Sequence, residues 1–216
     1  MTKRGLFITL EGPDGSGKST QLRTLAQRLR EQGRAVLETQ EPGGTAIGTQ
    51  IRRILLDPAN AELCPTAEML LMFAARAQNV DQAILPALAQ GQIVLCDRFT
   101  DSSLVYQGVG RGLGKELVYD VDRIACRGLV PDLTIFLDID LETGLHRARA
   151  RNEKTQLNES RLDDETIEFH TRVRNAYLDL VKRNPARFHV VDGAGTREQV
   201  ARDIWQVVSG LIEERK

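Results

Sequence analysis

The sequence predicts an α/β fold: a parallel sheet with helices on both faces, in one domain over residues 1–216. Three observations lead there. Five short apolar runs alternate with segments of helical periodicity along the chain, as in repeated strand–helix–strand units. These runs are nearly continuous in apolar residues, which suits strands buried on both faces. The 216 residues contain 41% AVILMFWYC and 27% charged residues, enough apolar material for a core and too balanced for a disordered chain.

Leu6–Leu10 reads as the first buried strand and Thr20–Glu31 as a helix ending near Gly33. Ala35–Thr39 is the second strand. After the turn Glu41-Pro42-Gly43-Gly44, Ile47, Ile51, Ile54 and Leu55 recur at helical spacing until Asp57-Pro58 halts them. Thr66–Gln90 is apolar at helical spacing, and Pro86 predicts a kink or break within it. Ile93–Cys96, Leu133–Leu137 and Phe188–Val191 supply three further strands. Helical patterns cover Lys115–Arg127, Leu141–Arg151, Thr166–Lys182 and Glu198–Ile212. Asn152–Ser160 is polar and aperiodic and follows three arginines, so it reads as a mobile loop.

Composition excludes several function classes. Lys+Arg total 29 and Asp+Glu 30, so no cationic excess exists to release counterions from a nucleic acid. The longest apolar runs, Met69–Ala75 and Ala83–Ala89, fall far short of the about 20 residues needed to cross a bilayer. Lys3 and Arg4 precede an apolar stretch that Glu11 ends too early for a secretory signal. Cys64, Cys96 and Cys126 are dispersed, which fits a reducing cytoplasm. His146, His170 and His189 show no zinc-ligand spacing.

Gly12-Pro13-Asp14-Gly15-Ser16-Gly17-Lys18-Ser19 fits G-x-x-x-x-G-K-[ST], directly after the first strand and opening the first helix. Its glycines let backbone N–H groups turn inward onto phosphate oxygens, and the helix N-terminus adds a favourable dipole. Lys18 can reach the β- and γ-phosphates, and the Ser19 hydroxyl can coordinate Mg²⁺. The motif predicts binding of a nucleoside triphosphate and leaves its fate open. Asp97 and Arg98 lie at the end of the third strand, where ligand sites of open α/β sheets collect. Asp97 can hold a Mg²⁺-bound water and Arg98 an anion, or the pair can be a helix N-cap with an exposed arginine.

No guanine-reading N-K-x-D stretch is present, and the chain is short for a motor or transporter ATPase, which leaves a small kinase. Moving a phosphoryl group onto an acceptor phosphate brings two polyanions together, so cations are needed around the reacting group. Candidates are Lys18, Arg52, Arg98 and the run Arg147, Arg149, Arg151. On a helix Arg147 and Arg151 share a face while Arg149 lies roughly 200° round. The run is equally a solvated basic helix end. A phosphate acceptor is already ionised at neutral pH, its second pKa being about 6, so no general base is required.

The strings Phe7-Ile8-Thr9-Leu10-Glu11-Gly12-Pro13-Asp14-Gly15, Glu41-Pro42-Gly43-Gly44-Thr45, Phe73-Ala74-Ala75-Arg76, Asp97-Arg98-Phe99 and Tyr106-Gln107-Gly108-Val109-Gly110-Arg111-Gly112 occur in the order typical of thymidylate kinases. Pro131-Asp132-Leu133-Thr134 and Leu137-Asp138 extend the resemblance over nearly the whole chain. It implies the nucleoside monophosphate kinase fold, with a five-stranded parallel sheet, a P-loop and a mobile lid near residues 147–161. It also implies ATP as donor, Mg²⁺, dTMP as acceptor, a homodimer, and no nucleic-acid or membrane partner.

Carried over by resemblance, the donor set is Gly12 to Thr20 (Gly12, Pro13, Asp14, Gly15, Ser16, Gly17, Lys18, Ser19, Thr20) with Arg147. Asp14 approaches the acceptor's 3′-hydroxyl. Arg98, supported by Arg52, holds the acceptor phosphate. Arg76 bonds the thymine edge, with Ser103 and Gln107 as further contacts. Tyr106 packs where a ribose 2′-hydroxyl would clash. Some members of the family carry a P-loop arginine where this chain has Gly15, and those without it supply the catalytic cation from the lid. That assigns the role to Arg149 and Arg151, with Arg161 as a further phosphate contact. Ser19 and Asp97 are the metal-side pair. Two positions depart from the pattern. The base-stacking aromatic is replaced by Met72, followed by Phe73, and either can cover the ring. Gln40 stands where an arginine usually precedes Glu-Pro-Gly-Gly. Rival readings are a kinase for another nucleoside monophosphate and a non-catalytic nucleotide-binding module.

Overall fold

The computed structural model describes residues 4–155 and 159–215. Its five strands are β1 (Phe7–Glu11), β2 (Val36–Gln40), β3 (Ile93–Asp97), β4 (Leu133–Asp138) and β5 (Phe188–Asp192). They form one sheet in the order β2-β3-β1-β4-β5, with every neighbouring pair parallel. Each lies within a residue or two of the apolar run that predicted it. β1 is central and fully buried, and its side chains divide between two apolar layers. Phe7 joins Phe73, Phe99, Phe136 and Tyr177 on one face of the sheet. Ile8 and Leu10 join Leu22, Leu29, Ile204 and Val208 on the other. Burial on both faces explains why β1, β3 and β4 lack polar alternation, whereas the edge strands β2 and β5 are partly exposed.

Helices α1 (Lys18–Glu31), α2 (Ala46–Leu56) and α3 (Pro65–Asn79) follow the predicted order. The predicted Thr66–Gln90 helix is interrupted ahead of Pro86. A π-helical turn over Val80–Ile84 joins α3 to α4 (Leu85–Ala89), and the Leu85 N–H reaches back to Val80. Widening the helix there accommodates a ring that would clash with a regular preceding turn. α5 (Thr100–Ser103) continues as a second π-helical stretch, Leu104–Gly110. Local pattern predicts no element here, because Ser102, Ser103, Gly108 and Gly110 are poor helix formers. Packing overrides propensity here: Leu104, Val105, Tyr106 and Gln107 are all buried.

α6 (Lys115–Cys126), α7 (Leu141–Thr155), α8 (Ile167–Arg183) and α9 (Arg197–Glu214) complete the chain. α7 continues past Arg151, where the sequence suggested it would stop, so the loop expected over Asn152–Ser160 begins as helix. Residues 156–158 of that loop lie outside the described residues. Where the chain is next described it packs back on the body. The Arg161 N–H donates to the Leu56 carbonyl at 3.2 Å, and its side chain donates to the Leu55 carbonyl at 2.5 Å. Arg161 also pairs with the fully buried Glu68 at 2.7 Å. Arg161, expected as a phosphate contact, is 7% exposed and here bonds an interior carboxylate.

Glu68 accepts from Gln107, from two nitrogens of Arg111 and from Arg161. It thereby ties α3 to the π-helical stretch and to the segment after α7. Removing it would strand buried guanidinium charge without a partner. Glu68→Ala should cost about 3–5 kcal/mol in urea unfolding; a loss below about 1 kcal/mol would show that the hub is dispensable.

Candidate active site

The strand register decides what meets at the carboxyl edge of the sheet. Leu10 stands opposite Asp97, so the loop leaving β1 emerges beside Asp97 and Arg98. Gly12, Gly15 and Gly17 in that loop all have positive φ. At Gly15 a Cβ would lie 2.0 Å from the carbonyl oxygen of Gly144 on α7, so this position admits no side chain. The Lys18 ammonium donates to the carbonyls of Gly12 (3.0 Å) and Pro13 (2.8 Å) and to Ser16 Oγ (3.3 Å), lying across the loop that would cradle phosphate. Burial, reinforced by Arg98, lowers its pKa to about 8 against the pull of Asp14 and Asp97. Ser19 Oγ donates to Asp97 Oδ2, so hydroxyl and carboxylate meet at the mouth of the loop.

Arg98 sits at the end of β3 with φ 69°, a backbone state that non-glycine residues rarely adopt. One nitrogen of its guanidinium donates to Asp14 at 2.7 Å and to the Tyr106 hydroxyl at 3.2 Å. The other donates to Ser102 Oγ at 3.1 Å and the Tyr177 hydroxyl at 3.2 Å. The Tyr106 hydroxyl donates to Asp14 at 2.8 Å. Burial would raise the Asp14 carboxyl, but Arg98, Lys18 and this hydrogen bond outweigh it and hold the group well below the usual carboxylate range. Asp14 is thus an anion at any working pH and a poor proton acceptor.

A cleft of about 1490 Å³ runs from this loop to Met72, Arg76 and Gln107. Lys18, Arg52, Arg76, Arg98, Arg147 and Arg151 line it, along with Asp97, Ser103 and Tyr106. Arg76 is 2% exposed, pairs with Glu41 and donates to the Phe99 carbonyl (3.1 Å) and Ser103 Oγ (3.0 Å). Its Nη1 is buried with no partner among the described residues. Phe73 packs its ring 4.5 Å from the Arg76 guanidinium and does not line the cleft, whereas Met72 does. Of the two side chains left open by the sequence, the structure puts Met72 at the cavity wall. Arg52 donates three bonds to Glu159, the shortest 2.8 Å, and one to the Pro42 carbonyl. Gln40 is exposed on the same wall.

The three arginines of α7 separate as the helical wheel requires. Arg147 donates to the Gly193 carbonyl at 3.1 Å, and Arg151 pairs with Asp163 at 2.7 Å. Arg149 is exposed and does not line the cleft, because α7 stays helical past it. Sequence reasoning assigned no role to Glu41, Ser102, Glu159, Asp163 or Tyr177. Glu41 opens the Glu-Pro-Gly-Gly turn, but Tyr177, on α8, carries no local signal at all. Among the described residues no three His, Cys, Asp or Glu side chains cluster as a metal cage, and no helix is long and apolar enough to cross a membrane.

A parallel sheet in this order, a P-loop after its central strand and a second cationic pocket across the cleft define a P-loop nucleoside monophosphate kinase fold. A model of the thymidylate kinase family matches residues 10–204. A thymidylate kinase from Pelobacter propionicus is 50% identical over 98% of this chain and 95% of its own. One from Geobacter sulfurreducens is 48% identical over 98% of this chain and all (100%) of its own. The crystal structure of thymidylate kinase from Ehrlichia chaffeensis superposes with a TM-score of 0.75 at 33% identity, covering 95% of this chain and 99% of that one. The chain belongs to the thymidylate kinase family.

Lys18 is depressed to about 8, so it loses its proton as pH rises through that value in the ligand-free protein. The dissociation constant of ATP should therefore rise above pH 8, approaching about tenfold per unit if only the ammonium form binds. Titration calorimetry between pH 7 and 9.5 reads this directly; a flat profile would remove Lys18 from the phosphate contacts.

Proposed function

We propose that this chain transfers the γ-phosphoryl group of ATP to dTMP, giving ADP and dTDP. The observation that carries the reading is the contact between Asp14 of the P-loop and Arg98. It puts the donor cradle and the acceptor-phosphate arginine within one side chain of each other, as direct transfer between two phosphates requires. In this reading Lys18 leaves the carbonyls of its own loop for the donor phosphates, and Arg98 and Arg52 take the acceptor phosphate. Arg52 must exchange Glu159 for it. No residue need remove a proton.

Base choice follows from the far wall. Gln107 Nε2 donates to Glu68 at 2.9 Å, which leaves Oε1 to accept from a pyrimidine N3–H. The buried, unpartnered Nη1 of Arg76 can donate to O4. Thymine offers that donor and acceptor, whereas cytosine presents the opposite pair. Met72 covers the ring, Ser103 fixes Arg76, and Tyr106 closes the sugar side beside Asp14. Ser19 and Asp97 fit a Mg²⁺ ion, which takes one or two protein oxygens and completes its shell with water and phosphate. When bound, that ion neutralises charge on the transferring phosphates.

Arg151 and Arg149 are proposed as lid cations for the transition state, with Arg147 on the donor side. Arg151 stands at the cleft already, while Arg149 needs movement of α7 to reach it. A homodimer is supported by exposed apolar Ile54, Leu70, Leu117 and Ile124 on α2, α3 and α6, helices that pack in succession. A cytoplasmic setting suits three free cysteines.

ADP release with Mg·ATP should be fast with dTMP, slower with dUMP and near background with dCMP, dGMP, dAMP, thymidine or no acceptor. Equal release in all wells would mean an ATPase and would remove Arg76 and Gln107 as base readers. Arg151→Ala should lower kcat by about a hundredfold or more with dTMP KM little changed, since a cation aimed at the transition state acts on rate. A loss confined to nucleotide affinity would make Arg151 a binding group.

A further inference from the structure

The end of β1 holds a buried carboxylate with no part in the transfer just described. Glu11 is 0% exposed and lies one residue before the P-loop. Its Oε1 accepts from the backbone N–H of Phe99 at 2.8 Å, so it grips the peptide that follows Arg98 and its φ of 69°. Its Oε2 accepts from Ser102 Oγ at 2.6 Å and from the Tyr177 hydroxyl at 2.8 Å. Those two hydroxyls, 2.8 Å from each other, are the ones that receive Arg98 Nη1.

Each hydroxyl has one proton, and a guanidinium can only donate. Ser102 and Tyr177 can serve Arg98 only if both protons point elsewhere. Glu11 Oε2 provides that sink: one proton goes to it, and the other goes to it or to the neighbouring hydroxyl. We propose that Glu11 is a positioning residue of the acceptor-phosphate site, fixing the backbone on which Arg98 stands and directing the Ser102 and Tyr177 protons away from its guanidinium. The proposal rests on the reading of Arg98 as the acceptor-phosphate ligand. Burial raises the Glu11 carboxyl to about 7 and Asp101 adds to this, while Arg98 and the two hydroxyl bonds oppose it. Only the ionised carboxyl can accept from both hydroxyls, so binding is compared above that value, at about pH 8.

Glu11→Gln keeps the shape and reverses one end of the group. With its amide N–H₂ towards the hydroxyls, both must accept, and one proton is turned towards Arg98. With the amide flipped, its N–H₂ confronts the Phe99 N–H instead. Either way Arg98 is misaimed first, because its guanidinium bonds both hydroxyls directly, whereas Arg76 meets this network only through the Phe99–Ser103 segment and keeps its pairing with Glu41.

The test compares dTMP with thymidine, which lacks the phosphate. Glu11→Gln should weaken dTMP binding by about ten- to a hundredfold, the range for hydrogen bonds to a charged group, with thymidine and ATP binding within about threefold of wild type. Adding Ser102→Ala and Tyr177→Phe to Glu11→Gln should cause no further loss, because the misdirected protons are gone. The same pair in the wild-type background should weaken dTMP selectively. If Glu11→Gln does not fold, that pair alone decides, and its failure to separate dTMP from thymidine overturns the proposal. Equal weakening of dTMP and thymidine by Glu11→Gln, or additive losses in the triple variant, also overturns it. Arg98→Lys is the control: if it leaves the dTMP-to-thymidine ratio unchanged, the reading of Arg98 itself falls.

Discussion

A guanidinium cannot shed its charge at any pH the protein meets, and this constraint governs the cleft. Arginines placed to bind phosphate must be buried enough to exclude water, yet each buried cation needs an anion before substrate arrives. The chain meets the demand residue by residue. Asp14 serves Arg98, Glu41 serves Arg76, Glu159 serves Arg52 and Asp163 serves Arg151. Lys18 is satisfied by carbonyls of its own loop. Burial raises Asp163 to about 6, with Asp14 adding to it, so its grip on Arg151 weakens as pH falls through that value. In the proposed reaction two partners behave differently from the rest. Glu41 and Asp14 remain as supports, whereas Glu159 and Asp163 occupy cations that phosphate would claim.

The sheet sets these charges in place. β1 lies between β3 and β4, and parallel register brings the exits of β1 and β3 to the same edge. Glu11, the P-loop, Asp97 and Arg98 are therefore neighbours although two of them lie far apart in sequence. The π-helical stretch after α5 then turns Tyr106 and Gln107 towards the same cleft from below.

Much of this was legible in the sequence, and the boundary has physical causes. All five strands were found: β1, β3 and β4 are buried on both faces and nearly continuous in apolar residues, and the edge strands β2 and β5 still carry short apolar runs. The P-loop announced itself through glycines whose conformations few other residues accept. Lys18, Ser19 and Asp97 met as the motif required, and Arg52, Arg76 and Arg98 line one cleft. What stayed hidden was held by tertiary context. The helix over residues 100–110 contradicts its own propensities. The Arg161 contact with Glu68 gave no local signal, since the two lie 93 residues apart. The arginines of α7 were ambiguous until the length of that helix fixed which face each takes. Tyr177 carried no signal, since a buried tyrosine on an amphipathic helix resembles any core aromatic.

The contact of Gly15 with Gly144 has a consequence for how such a site can evolve. Backbone of α7 occupies the volume a side chain at position 15 would need. An arginine at position 15 and a helix seated this closely exclude one another sterically. With this packing, a side chain of any kind at position 15 requires α7 to move. The two ways of furnishing that charge are alternatives separated by a helix displacement, and no single substitution converts one into the other.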